Sequence, residues 1–510
     1  MLNYIGITIG PIYDTIMEAS SPASLWFASS MFSDITKRMI KEITGSRGFE
    51  NVRIYSPYYD AMLDTNDGVG KYHDRIIFST TNFSDGKLKQ IINKVKEDTA
   101  EVFEQRDELT RKFLTSYLQI HFIALSDTEI QESNCILSLT PYLDTLELMK
   151  TFPHNDVVNP IRRVFAGEKD NSNRYIKNSG LFQGIDKENN QFMKKDGSIY
   201  SIGDIVTHHG KIPYNTSKKY YFAVVSADGD GMGTFLGGLS SDEVTDFSKS
   251  CLHYNCGAAK LIGEYGGMTI YAGGDDLLFL APVINEDGAT IFKLCNRIQQ
   301  LFQDEVGKAE NTYSKVSLPT LSFGISIQHD KYPLYEAFDN SRALLALAKH
   351  DGDFTKEDCT RDNMVIEVQR SSGPIETVLV GNKSYQAFEQ LLSLCKDDRN
   401  DTSSSMLRIL ETFEPLFFLL NKEARLGNIS YQAYEVAWLN HFDGVGQTQK
   451  QDYIKEICRS YYDKLVIGKE RIYMPVHRLQ KTNIDNLDLS LLALFGMLRI
   501  EKFLKEVEGE

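Results

Sequence analysis

Residues 271–280, Tyr-Ala-Gly-Gly-Asp-Asp-Leu-Leu-Phe-Leu, set two carboxylates side by side where two hydrophobic runs meet. Such a junction is the usual place for a tight β-hairpin, in which Gly273 and Gly274 take positive φ angles and present Asp275 and Asp276 at the tip. Unit charges about 4 Å apart repel by about 4 kcal/mol at an effective dielectric of about 20. A divalent cation removes that cost. Gly and Asp are also ordinary turn residues, so the four letters alone fit a solvated turn equally well. A second acidic cluster shifts the balance toward a metal site. The β-branched and aromatic run Tyr220–Ser226 reads as a buried strand and ends in Ala227-Asp228-Gly229-Asp230-Gly231-Met232-Gly233. Alternation puts Asp228 and Asp230 on one face, and the glycines let backbone amides approach phosphate oxygens.

The elements that position these residues follow from periodicity. From Ser241 to about Tyr265, Val244, Phe247, Cys251 and Leu252 recur at helical spacing, so the order is acidic strand end, helix, acidic hairpin. Residues 1–125 read as a βαββαβ unit of ferredoxin-like type. Its strands are near Leu2–Ile9, Val52–Tyr55, Arg75–Phe78 and Tyr117–Leu125, with a helix opened by Ser21 and Pro22 and a second over about 85–112. No acidic pair stands at its strand ends, where Gly10-Pro11 and Tyr72-His73-Asp74 are found instead. Residues 126–217 read as a mixed linker with a polar insertion from Gly167 to Asp204. Beyond about residue 380 the apolar residues keep helical spacing, which gives a C-terminal bundle. The fold class expected is α+β.

Length and composition exclude several classes. A chain of 510 residues suggests three or four domains. Seven cysteines at 135, 251, 256, 295, 359, 395 and 458 form no CxxC pair, which argues against a disulfide framework or a zinc finger. His208-His209 lacks partners at ligand spacing and reads as two exposed loop histidines. No apolar run reaches a membrane span and no signal peptide opens the chain, so a cytoplasmic protein is expected. A net charge of −15 argues against nonspecific nucleic-acid binding over the whole surface.

The acidic strand and hairpin resemble the palm of the polymerase and GGDEF cyclase superfamily, in which carboxylates from neighbouring strands hold two Mg²⁺ ions. More narrowly, the chain is similar to the large palm subunit of type III-B (Cmr) CRISPR effector complexes. The likeness rests on Asp228-Gly229-Asp230-Gly231-Met232-Gly233, Gly273-Gly274-Asp275-Asp276, Ser322-Phe323-Gly324-Ile325-Ser326, the helix ending Ala343–Lys349 and Val365–Gly373. Near the N-terminus, Ile9–Asp14 and Ser24–Ser30 match as well. The resemblance implies a degenerate first palm at 1–125, a catalytic second palm at 218–380 and a helical C-terminal domain at 381–510 that packs on helical neighbours. It further implies that Asp228, Asp275 and Asp276, with Asp230 as a further ligand or a support, hold Mg²⁺ or Mn²⁺. Gly229, Gly231, Gly233, Gly273, Gly274 and Lys349 would serve the triphosphate of ATP. The implied activity is RNA-activated synthesis of cyclic oligoadenylate, or transfer of AMP to S-adenosylmethionine. Implied partners are other Cmr-type subunits, guide RNA and target RNA. Neither the family's zinc site nor its HD nuclease is expected, because Cys135 stands alone and His73-Asp74 and His329-Asp330 lack further ligands. A catalytically silent scaffold and a stand-alone cyclic-dinucleotide synthase are the rival readings. The acceptor pocket is expected from Gly10–Asp14 and from Ser56–His73, with Asp60, Asp64, Asp67 and Asp74 as an acidic lining suited to a sulfonium.

Overall fold

The computed structural model describes every residue except 1, 46–47, 65–66, 105–106, 131, 150–158, 167–173, 187, 189, 196, 308–317, 351–360, 371–374, 397–401, 443–447, 469, 475–487 and 510. Cys359, residues 167–173 of the polar insertion and the Ser371-Ser372-Gly373 end of one matched stretch therefore lie outside the described residues.

The first sheet contains β1 (Asn3–Gly10), β2 (Arg53–Ser56), β3 (Arg75–Thr80) and β4 (Gln119–Ser126) in the order β2-β3-β1-β4. All its pairings are antiparallel, as a βαββαβ unit requires. Its long helix, Pro22–Thr44, starts at a capping box between Ser21 and Ser24 with proline in the first turn. The helix is buried on nearly all sides because the second sheet covers the face that the first leaves open. Met268 and Ile270 of that second sheet join the same core as Trp26, Phe27 and Met31. The expected second helix over 85–112 is two, Asp85–Asp98 and Glu108–Tyr117.

The second sheet has seven strands in the order β11-β10-β9-β8-β5-β7-β6. These are β5 (Tyr221–Asp230), β6 (Met268–Gly273), β7 (Asp276–Pro282), β8 (Thr320–His329), β9 (Asn363–Gln369), β10 (Ile375–Gly381) and β11 (Ile472–Tyr473). Its β8-β5-β7-β6 core repeats the β4-β1-β3-β2 order of the first sheet. The chain is thus α+β with two ferredoxin-like sheets, followed by a largely helical C-terminal region. The Ala272 amide donates to Gly70 O at 2.9 Å and ties a first-unit loop to the edge strand β6.

The C-terminal region is not a free-standing bundle. Its last helix, Leu489–Gly509, returns to the second sheet, where Phe503 meets the Tyr221 ring edge-on at 4.8 Å and Arg499 pairs with Glu376 at 2.8 Å. Gly496 sits so close to β10 that a Cβ there would meet Val378 at 2.6 Å. One apolar core consequently runs from Tyr221 to Leu504.

Candidate active site

The hairpin has the expected two-residue turn, shifted by one residue along the chain. Gly273 pairs with Asp276, so Gly274 and Asp275 form a two-residue turn and Asp276 already opens β7. Only Gly274 has positive φ, at 66°. Gly273 is required for space, since a Cβ would meet the Tyr271 hydroxyl at 2.4 Å. Across the sheet Asp275 lies on Gly229, where a Cβ would come 2.5 Å from its Oδ2. The missing side chain of Gly229 is therefore the room that lets the hairpin carboxylate approach β5.

Asp228 faces the hairpin, and Lys349 Nζ pairs with its Oδ2 while donating to Gly229 O at 2.8 Å. Lys349 reaches that point because its helix, Leu334–His350, lies unusually close to β8. A Cβ on Gly324 would stand 2.1 Å from Ser341 O and 2.3 Å from Leu345 N. Ser226 and Ser341 hydroxyls lie 2.7 Å apart and fix the same contact.

Asp230, offered as a metal ligand or a support, is engaged as a support. It is 4% exposed and accepts from Thr320 Oγ1 at 2.8 Å, Ser322 Oγ at 2.8 Å and the Asp362 amide at 3.0 Å, which staples β5 to β8 and to the start of β9. Both of its oxygens accept hydrogen bonds, the arrangement of a support. Gly231 takes φ 69° at the start of the short helix Met232–Gly237, and Gly233 has open space around it.

The electrostatics match the crowding. Burial, followed by the Asp228 charge, lifts the Asp275 carboxyl to about 7. Asp276 is open to the cavity but sits deep between the sheets; that confinement, with the charges of Asp228 and Asp275, holds its carboxyl well above the usual range. The carboxylates of Asp228, Asp275 and Asp276 offer oxygen donors of the kind hard divalent cations prefer. Among the described residues no three acidic, His or Cys side chains converge as ligands, and the Lys349 ammonium stands in the place of a cation at Asp228.

Two cavities flank the hairpin. One, of about 580 Å³, is walled by the Gly10–Asp14 loop of the first unit, by Asp228 and Asp276, and by Arg342. The other, of about 520 Å³, is lined by Ser56, Pro57, Tyr58, His73, Gly233 and the Gly273–Asp276 turn. Asp74, Glu147 and Asp276 line both. Both first-unit segments expected at an acceptor pocket therefore reach the site, on opposite sides of the hairpin. Their acidic lining does not hold as expected. Asp64 is paired with Lys37 at 3.2 Å and Asp67 with Lys71 at 2.6 Å, while Asp60 accepts from the Met62 amide at 2.8 Å. Asp74 does line the site, its carboxyl raised to about 6 by burial and then by Glu147. Sequence reading missed Glu147 and Arg342, since each lies at a distance along the chain and no local pattern marks it. His208 and His209 are half-buried rather than exposed; both have left-handed φ, and His209 Nε2 lies 2.9 Å from Gly266 O. The six described cysteines are free.

Residues 221–358 match the family described as Cas10/Cmr2, second palm domain. Over 194 residues the chain is 26% identical to the CRISPR system Cmr subunit Cmr2 of Pyrococcus furiosus, a match covering 33% of this chain and 21% of that relative. The chain thus spans about a fifth of that relative's length. Among solved structures, the apo state of a type III-B Cmr-beta complex contains a chain of like fold (TM-score 0.60, 11% identity, 99% of this chain and 82% of that one). So does a Csm1-Csm4 cassette in complex with cA4 (TM-score 0.55, 13% identity, 99% and 70%). At such identities these likenesses speak for the fold alone.

Proposed function

From a chain of the Cas10/Cmr2 type, we propose that Asp228, Asp275 and Asp276 form the centre of a nucleotidyl transferase that moves AMP from ATP to a hydroxyl acceptor. The observation that carries this reading is the placement of Asp228 and Asp276 on one cavity and of Asp275 and Asp276 on the other, with Lys349 paired to Asp228 and each cavity completed by a first-unit segment. The acceptor 3′-oxygen forms a bond to the α-phosphorus, the bond from that phosphorus to the bridging oxygen breaks, pyrophosphate departs with the electron pair, and the hydroxyl proton passes to solvent. Asp228, Asp275 and Asp276 would hold Mg²⁺ or Mn²⁺, which supplies charge neutralisation and a more acidic hydroxyl. Lys349 leaves Asp228 for the phosphates, contributing a point charge. Amides at Gly231 and Gly233 face the same oxygens, and Gly229 and Gly273 keep the two strands close enough for the carboxylates to meet.

ATP as both donor and acceptor gives cyclic oligoadenylate, and Csm1-Csm4 structures with cA4 and with ATP support that reading. A second reading, AMP transfer to S-adenosylmethionine, is favoured by Asp14, Asp74 and Glu147 on the 580 Å³ cavity, a lining that suits a sulfonium better than a second triphosphate. The chain would act as a subunit of a Cmr-type ribonucleoprotein switched on by target RNA, within the cytoplasm; no helix of the described residues is long and apolar enough to cross a membrane. The test is to incubate the assembled complex and target RNA with labelled ATP, with and without S-adenosylmethionine, and to resolve products by mass. Absence of pyrophosphate release in both would refute the transferase, and equal oligoadenylate in both would sink the sulfonium acceptor.

A further inference from the structure

Two cations on the helix Leu334–His350 serve the site differently. Lys349 is engaged by Asp228 and Gly229. Arg342, seven residues earlier and therefore about 10 Å away along the axis, lies in the wall of the 580 Å³ cavity. Its guanidinium stacks 4.3 Å from the centre of the Tyr13 ring. Tyr13 belongs to the first unit, and its hydroxyl is 3.5 Å from Asp339 Oδ1, so the contact joins the two palms. The same wall carries five carboxylates, Asp14, Asp74, Glu147, Asp228 and Asp276. Among the described residues Arg342 nevertheless makes no ion pair or hydrogen bond, and ring stacking is its only contact of that strength. Stacking uses the face of a guanidinium and leaves its N–H edge for a planar or tetrahedral oxyanion.

We infer that Arg342, steadied by Tyr13, receives the anionic end of the acceptor whose hydroxyl is presented at Asp228 and Asp276. The inference rests on the transferase reading and deepens it. The spacing suits a molecule of nucleotide size whose reactive hydroxyl and anionic group stand at opposite ends of the cavity. That group is either the 5′-phosphate of a nucleotide or the carboxylate of S-adenosylmethionine, and both present oxyanion oxygens to the same fork.

The experiment uses the full chain with its purified partners and saturating 3′-deoxyATP, which donates 3′-deoxyAMP but has no 3′-hydroxyl to act as acceptor. ATP and S-adenosylmethionine are titrated as acceptors in separate arms, with products resolved by mass. Arg342→Met should raise the acceptor KM at least tenfold in the productive arm, about the loss of one charge-assisted contact, with kcat within about threefold. Arg342→Lys should restore part of that loss, and Tyr13→Leu should raise the same KM severalfold. The KM for 3′-deoxyATP as donor, measured at saturating acceptor, should not change. The arm that responds identifies the oxyanion as phosphate or carboxylate. An unchanged acceptor KM in Arg342→Met, or a donor KM raised as much as the acceptor KM, would overturn the inference. A parent protein that makes no product in either arm would overturn the transferase reading and this inference with it, and is seen before any variant is compared.

Discussion

Arg75 opens β3 on the rung where Asp276 opens β7. Thr8 pairs with Arg75 in the first sheet, and Asp228 stands one rung beyond the Ala227–Leu277 pair in the second, so Thr8 matches Asp228. The helix that follows each sheet core completes the comparison. Lys349 meets Asp228, whereas Glu147 accepts from Thr8 Oγ1 at 2.8 Å and from Arg75 Nε at 2.8 Å. The charge pattern of the second unit is thus reversed in the first: carboxylate against lysine becomes arginine against glutamate. A guanidinium stands in the first unit on the rung that Asp276 holds in the second, so the first unit offers no matching pair of carboxylates at these strand ends.

Replacing both hairpin carboxylates follows directly. Asp275→Ala/Asp276→Ala should abolish pyrophosphate release from ATP. The variant should melt no lower than the parent in the absence of divalent ions, because it removes confined like charges. Parental turnover of labelled ATP in the double variant would place the chemistry elsewhere.

The legible part of this site is the part encoded in contiguous residues. The nearness of Asp228 to Asp275 and Asp276 could be read because an acidic strand end, a helix and an acidic hairpin follow one another, and a ferredoxin-like unit has one way to bring such ends together. Asp230 shares the strand face of Asp228 as alternation predicts, but its role depends on the Thr320 and Ser322 hydroxyls of β8, which no spacing rule links to it. Asp60 and Asp67 are engaged locally, by the Met62 amide and by Lys71, whereas Asp64 looked like a pocket lining because Lys37, brought near by folding, is invisible along the chain. Glu147 and Arg342 were missed for the same reason, each being placed by a helix docking on its sheet.

Gly324 is the most constrained point of that docking. Gly324→Ala places a methyl group against Ser341 O and Leu345 N, backbone atoms that a side-chain rotation cannot move. The cost should reach about 3 kcal/mol or more and should part Lys349 from Asp228. Thermal melts should show a large drop in Tm, and an unchanged Tm would mean that the helix does not lie against β8.

His73 predicts a pH dependence. Burial, with Arg75 nearby, lowers its pKa to about 4. Its Nδ1 accepts from the Arg75 amide at 3.3 Å, which leaves Nε2–H to donate to Ser56 Oγ at 2.9 Å. Between about pH 6.5 and 4 the unfolded chain binds a proton that the folded one refuses, so stability is full above that window and falls as pH drops through it. By pH 5 the loss should be at most about 2 kcal/mol. Urea denaturation at pH 7.5 and 5 should show a smaller drop for His73→Gln than for the parent. Equal drops would assign the acid sensitivity to other groups.

The C-terminal region makes two separable predictions. Because the helix Leu489–Gly509 covers the second sheet, truncation near Gly381 should uncover Tyr221 and Val378 and yield an insoluble chain, not a nucleotide-binding core; a soluble, nucleotide-binding truncation would contradict the shared core. The outer side of the same region behaves differently. Leu416 and Leu419 on the helix Glu414–Arg425 and Val436 on the helix Tyr431–Asn440 are 49%, 51% and 57% exposed, an apolar surface expected to be covered when the chain assembles. Leu416→Ser/Leu419→Ser/Val436→Ser leaves the packed core intact, so the variant should stay folded and melt cooperatively, only a few °C below the parent. It should still bind ATP, and it should fail to co-purify with a guide RNA and smaller subunits. Undiminished co-purification of the triple variant would place the assembly surface on another face.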